Sequence, residues 1–113
     1  MEYKLIECGV APLEARKYLY AIGAFHFKCD KRSVFLFNRK LHNENGPADI
    51  WYAKDGSIGI AHYYLNNFKH NENGPAVTWH DISGNVFREE YWLKGIEYLK
   101  DEYLQQIQIK LYW

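Results

Sequence analysis

Apolar and polar positions along the chain alternate in short runs, the period of strands, and recur at helical spacing only near the two ends. "FHFKC" at 25–29 and "SVFLF" at 33–37 read as strands, with Asp30, Lys31 and Arg32 turning the chain between them. Runs rich in Ile, Val, Trp and Tyr then flank Asp55-Gly56 and Ser83-Gly84, where Gly accepts the positive φ of a tight hairpin. Asn66-Asn67 and Lys94-Gly95 supply further reversals, since Asn and Gly enter the left-handed region most readily. Near the N-terminus Pro12 suits a helix start, Ala15, Tyr18, Leu19 and Ile22 recur at i, i+3, i+4 and i+7, and Gly23 can end the helix. At the other end "KDEYLQQIQIKLYW" puts Asp101 and Glu102 in a first helical turn and Tyr103, Leu104, Ile107 and Leu111 on one face.

The middle of the chain repeats itself. "HNENGPA" stands at 42–48 and again at 70–76, and residues 39–66 align with 67–94 without gaps. His42 falls on His70, Trp51 on Trp79, Gly56 on Gly84, Tyr63 on Tyr91 and Leu65 on Leu93, with partial copies at 35–42 and 91–98. Units of this length cannot bury an apolar face alone and stack instead. Each period predicts a three-stranded meander, near 47–54, 57–65 and a short arm at 68–71. In the heptapeptide, Asn-Gly allows a sharp turn, while Pro47 and Pro75 hold φ near −65° and suit the start of a strand. His42, Gly46, Pro47, His70, Gly74 and Pro75 are therefore read as structural turn residues, the two imidazoles bonding turn carbonyls. If all three strands lay in one sheet, equivalent residues would stand about 14 Å apart, too far for His42 and His70 to share a zinc ion, whose nitrogens lie at about 2.1 Å. No metal or cofactor is expected.

The predicted class is α+β: an antiparallel β-meander of tandem hairpin repeats with a helix at each end. A chain of 113 residues, 48% of them hydrophobic, makes one domain. It divides into an N-terminal strand-helix-hairpin region at 1–34, repeats at 35–98 and a C-terminal helix at 99–113. Lys plus Arg equal Asp plus Glu at 14 each, so no bulk field draws the chain to nucleic acid or an anionic membrane. Residues 1–40 nevertheless carry eight basic against four acidic groups, a net of +4, which leaves −4 for the rest. That polarity leaves a homo-oligomer open. The opening "MEYKLIECGV" holds three charges and no apolar run long enough for a signal peptide or a span, so a cytoplasmic protein is expected. Cys8 and Cys29 are too few for a disulfide framework and read as buried structural thiols.

"HNENGPA", "KDG" at 54–56 and "YYLNN" at 63–67 resemble the motifs of viral repeat proteins, mostly of bacteriophage and large viruses, which are similar to variant MORN repeats, small β-hairpin units. The likeness covers residue 35 to about 105. It implies the hairpin fold, a viral origin (hence the host cytoplasm) and binding rather than catalysis. Asn43 and Asn71 stand where that pattern often has Arg, and Asn67 where it often has Gly.

Ten Tyr and four Trp are more rings than so small a core needs, and such rings recur at protein interfaces. The leading expectation is a non-enzymatic module that binds, and inhibits or adapts, a host or host-defence protein. Its candidate contacts are Trp51, Tyr63, Tyr64, Trp79, Tyr91 and Trp92, with Arg39, Lys69 and Arg88 as polar anchors. Positions that differ between the copies, Asp49 against Val77, Tyr52 against His80 and His62 against Glu90, add to that surface. An alternative is nucleic-acid or nucleotide binding by stacking, with the basic first forty residues meeting phosphates, which the zero net charge opposes. A small hydrolase would draw on His62, His80, Glu89 and Glu90 as an acid/base set, with no nucleophile or phosphate-loop motif beside them.

Overall fold

The computed structural model describes residues 1–7, Tyr18 and 20–111. Its strands are β1 (Lys4–Glu7), β2 (Ala24–Lys28), β3 (Arg32–Phe37), β4 (Lys40–Leu41), β5 (Asp49–Tyr52), β6 (Ile58–His62), β7 (Tyr64–Leu65), β8 (Phe68–Lys69), β9 (Val77–His80), β10 (Val86–Leu93) and β11 (Ile96–Tyr98), followed by helix α1 (Lys100–Leu111). Nine strands form one sheet in the order β1-β2-β3-β5-β6-β9-β10-β11, with β4 paired to β3 off this path, while β7 and β8 form a small sheet of their own. Every pair is antiparallel except β1 with β2, which run parallel. The helix expected from Pro12 lies mostly outside the described residues.

Two details of the strand map correct the sequence reading. Arg32 is the first residue of β3 rather than part of the preceding turn, its backbone paired with Trp51. The expected three-stranded unit does not lie wholly in one sheet: β5 and β6 do, but the arm after β6 turns out as the β7–β8 hairpin, and β9 pairs directly with β6. Equivalent strands are thus two spacings apart, about 10 Å rather than about 14 Å.

Three hairpin tips share one backbone geometry. Asn38 and Arg39 have φ of 49° and 69°, Asn66 and Asn67 of 50° and 70°, Lys94 and Gly95 of 49° and 79°. Positive φ at both central residues is the primed turn whose twist matches its strands. Asn67 does more at its tip than Gly would, because its Oδ1 accepts from the Leu41 N–H at 2.7 Å while its own N–H donates to the Leu41 carbonyl at 2.8 Å.

The sheet has little depth. The chain's extents are 47 × 35 × 19 Å, and its radius of gyration is 15.5 Å against about 13 Å for a compact domain of this length. Val77 and Ser33 are the largest fully buried side chains among the described residues. Ala48 and Ala76 are also fully buried, because each is threaded between neighbouring strands: the Ala48 N–H donates to His62 and its carbonyl accepts from Phe35, and Ala76 does the same with Glu90 and Tyr63. Cys29 is disulfide-bonded, not the free thiol expected.

Helix α1 packs against β10 and β11 and closes that end of the sheet. Glu102 accepts from the Leu99 N–H at 3.2 Å, satisfying a donor ahead of the first turn. Its buried stripe is narrower than the sequence predicts: Tyr103 is buried and Ile107 half-buried, but Leu104 is exposed, because one edge of a thin sheet touches only a small arc of the helix. No helix among the described residues is long and apolar enough to cross a membrane.

Arg39 carries a Cβ in a conformation that disfavours one. Arg39→Gly should therefore raise stability by about 0.5–1 kcal/mol, net of the entropy that Gly returns to the unfolded chain. Gly95→Ala should lower it, since an added Cβ would lie 2.7 Å from Phe68 Cδ1. Urea unfolding of the two variants checks this, and a common sign would contradict it.

Candidate functional site

Strand register places five residues in one line across the sheet. Arg32 on β3 pairs with Trp51 on β5, Trp51 with Ile60 on β6, Ile60 with Trp79 on β9, and Trp79 with Arg88 on β10. Directly paired residues point to the same face, so the line reads Arg-Trp-Ile-Trp-Arg and is symmetric about Ile60. Each guanidinium covers its tryptophan, Arg32 at 4.4 Å and Arg88 at 4.6 Å from the ring centroid. These contacts combine cation–π attraction with burial of the arginine stems. Trp51 stays exposed and Trp79 half-buried.

A second line lies on the same face two residues along, running Val34, Asp49, His62, Val77 and Glu90. Asp49 is buried and accepts a fork from Arg32, Nε to Oδ1 and Nη2 to Oδ2, both at 2.8 Å. The bidentate pair fixes the guanidinium over Trp51, and beside Asp49 burial holds the Tyr64 phenol above its ordinary value. In the other copy Ile60 and Val77 stand in the places of Arg32 and Asp49, so an apolar contact replaces the ion pair. At the far end Glu90 accepts from Trp92 Nε1 at 2.9 Å and from Arg88 at 3.4 Å, and Lys69 Nζ lies 4.7 Å over the Trp92 ring.

The sequence-predicted contacts divide between the two faces. Trp51, Trp79, Trp92 and Tyr64 share the front face with Arg88 and Lys69. Tyr63 and Tyr91 alternate onto the back. Tyr91 is buried, 4.8 Å from Tyr103, and donates to Glu89 at 2.7 Å, and burial first, then that bond, pushes its phenol up to about 12. It packs the core instead of offering a contact. Arg39 sits at a hairpin tip at the opposite end of β3 from Arg32. The acid/base set is split as well: His62 and Glu90 lie in front, while Glu89 and His80 lie behind, His80 bonded to the Thr78 hydroxyl at 3.0 Å. Strand alternation prevents these four from meeting. Arg32 and its fork to Asp49 were missed in sequence because Arg32 reads as a turn residue. The one available signal was Asp49 standing where its copy has Val.

The heptapeptides behave alike at both positions. His42 Nδ1 accepts from the Asn66 N–H at 3.0 Å and His70 Nδ1 from the Lys94 N–H at 2.9 Å. A backbone N–H only donates, so Nδ1 is bare and Nε2 carries the proton, which it turns to Glu44 and Glu72, each at 3.3 Å. The imidazoles thus accept turn N–H groups, where turn carbonyls were expected. Asn43 and Asn71, in the place of Arg, each donate Nδ2 to the carbonyl of Pro47 or Pro75 and accept from the N–H of Asn45 or Asn73. Compared with known proteins, the chain matches no family model, no curated protein and no solved structure.

Burial holds His62 below the ordinary histidine value, reinforced by Lys69 and opposed by Asp49 and Glu90, and its buried Nδ1 has no partner among the described residues. His26 is lowered too, by burial and then Lys28. Below the ordinary value of 6.5 the unfolded chain binds protons that these folded rings refuse. Their contribution is therefore complete above that pH and is lost as pH falls towards the folded values. The urea midpoint should decline as pH falls below 6.5, and His62→Gln should flatten the decline; a parent and variant with parallel profiles would contradict it.

Proposed function

We propose that this chain is a non-enzymatic protein-binding module that presents the line Arg32-Trp51-Ile60-Trp79-Arg88 to a partner. The observation that carries the reading is that line itself: two tryptophans, each held under an arginine, flank one aliphatic side chain on the open face of a thin sheet. Trp and Arg are the residues in which interface energy concentrates, and rings fixed before binding lose little freedom on contact. The stacked guanidinia also cover a face of each ring that a base would need, which weighs against nucleic-acid or nucleotide binding.

In this reading the chain is a run of hairpin repeats of about 28 residues, akin to the viral HxxxGPA and MORN-type units, with an N-terminal helix besides α1. The hydrogen bonds that recur at the two heptapeptides support it. The partner is then a host or host-defence protein that the chain inhibits or adapts in the host cytoplasm, and the charge division keeps a homo-oligomer in view. The disulfide at Cys29 favours an oxidising compartment over that cytoplasm, so thiol trapping in the host tests the location separately.

Affinity capture from host lysate with the parent and with Trp51→Ala/Trp79→Ala tests the surface. A specific protein held by the parent should drop at least tenfold in the variant while the melting transition stays cooperative. Equal capture by both would remove the surface from consideration. Salt-sensitive retardation of a single-stranded oligonucleotide would favour the nucleic-acid reading.

A further inference from the structure

The two heptapeptide loops differ in what lies against them. Behind the second, Tyr103 of α1 inserts its ring next to Tyr91, and its hydroxyl donates to the Asn71 carbonyl at 2.8 Å while accepting from the Gly74 N–H at 3.0 Å. Tyr103 is only 3% exposed, so this cradle is filled. The first loop has the same seven residues and the same internal asparagine bonds. Its Asn43 carbonyl and Gly46 N–H have no partner among the described residues, and Tyr63 stands where the second site has Tyr91. These three residues line one cavity of about 430 Å³ between the loops. Among the described residues that lining includes the exposed carboxylate of Glu44 and neither lysine nor arginine.

We infer that the cavity between the loops binds a tyrosine side chain of a partner protein, one flanked by basic residues, in the way that the second loop binds Tyr103. The phenol donates to the Asn43 carbonyl and accepts from the Gly46 N–H, its ring lies against Tyr63, and a neighbouring lysine or arginine meets Glu44. A phosphotyrosine is rejected, because a dianion would face the Glu44 carboxylate and the Asn43 carbonyl. The inference rests on the reading of the chain as a protein-binding module and names a second contact, away from the tryptophan line.

The test is a titration of the ¹⁵N-labelled chain with capped Lys-Tyr-Lys, Lys-Phe-Lys and Lys-phosphotyrosine-Lys peptides. With the tyrosine peptide the Gly46 amide should shift saturably and the Gly74 amide should not, because Tyr103 occupies its site. The phenylalanine peptide should bind about tenfold more weakly, having lost a buried hydroxyl pair, and the phosphorylated one weaker still. No saturable shift at Gly46 up to millimolar peptide, or equal affinity for the tyrosine and phenylalanine peptides, overturns the inference. Partner capture that depends on Trp51 and Trp79 would survive that failure, so the two readings fall separately.

Discussion

The structure depends on a bare imidazole nitrogen accepting a backbone N–H from the next hairpin tip. His42 holds the tip at Asn66 and His70 the tip at Lys94, in each case 24 residues ahead. Around each imidazole the same arm is tied at two further places: the Asn43 N–H donates to Tyr64 and the Asn67 N–H to Leu41, as the Asn71 N–H does to Trp92 and the Gly95 N–H to Lys69. A two-residue strand pair such as β7–β8 has no stability of its own. It persists because the preceding loop supplies it with polar partners, and both histidines are buried in doing so.

A thin sheet held by backbone bonds and loop ties has a consequence for function. With so few fully buried side chains, both faces carry residues that a two-layer domain would cover. On the front face that surface is organised by charge on aromatic rings: Arg32, Arg88 and Lys69 lie over Trp51, Trp79 and Trp92. The ion pair to Asp49 belongs to one copy only, so the two halves of the line are alike in shape and unlike in polarity.

Much of the strand order was legible in sequence because turn chemistry is local. Asp55-Gly56, Ser83-Gly84, Asn66-Asn67 and Lys94-Gly95 announced hairpins that depend on a few φ angles, and all of these glycines and asparagines sit at positive φ. Asn38-Arg39 was not read as a tip, since Arg carries no such signal. What stayed hidden was set by pairing at a distance. No periodicity tells that the arm after β6 leaves the sheet, that Arg32 forks onto Asp49 seventeen residues on, or that Tyr91 is covered by Tyr103 while Tyr63, its copy, lines a cavity.

The claim that the heptapeptide is a device for joining hairpins is tested most directly by the protonation pattern of its two histidines. Long-range ¹⁵N–¹H correlation at neutral pH distinguishes the two ring nitrogens. The account predicts that both His42 and His70 carry their proton on Nε2, with Nδ1 bare and shifted by an accepted hydrogen bond, and that the Asn66 and Lys94 amides are protected from exchange. Protons on Nδ1, or rapid exchange at those two amides in the folded chain, would contradict it.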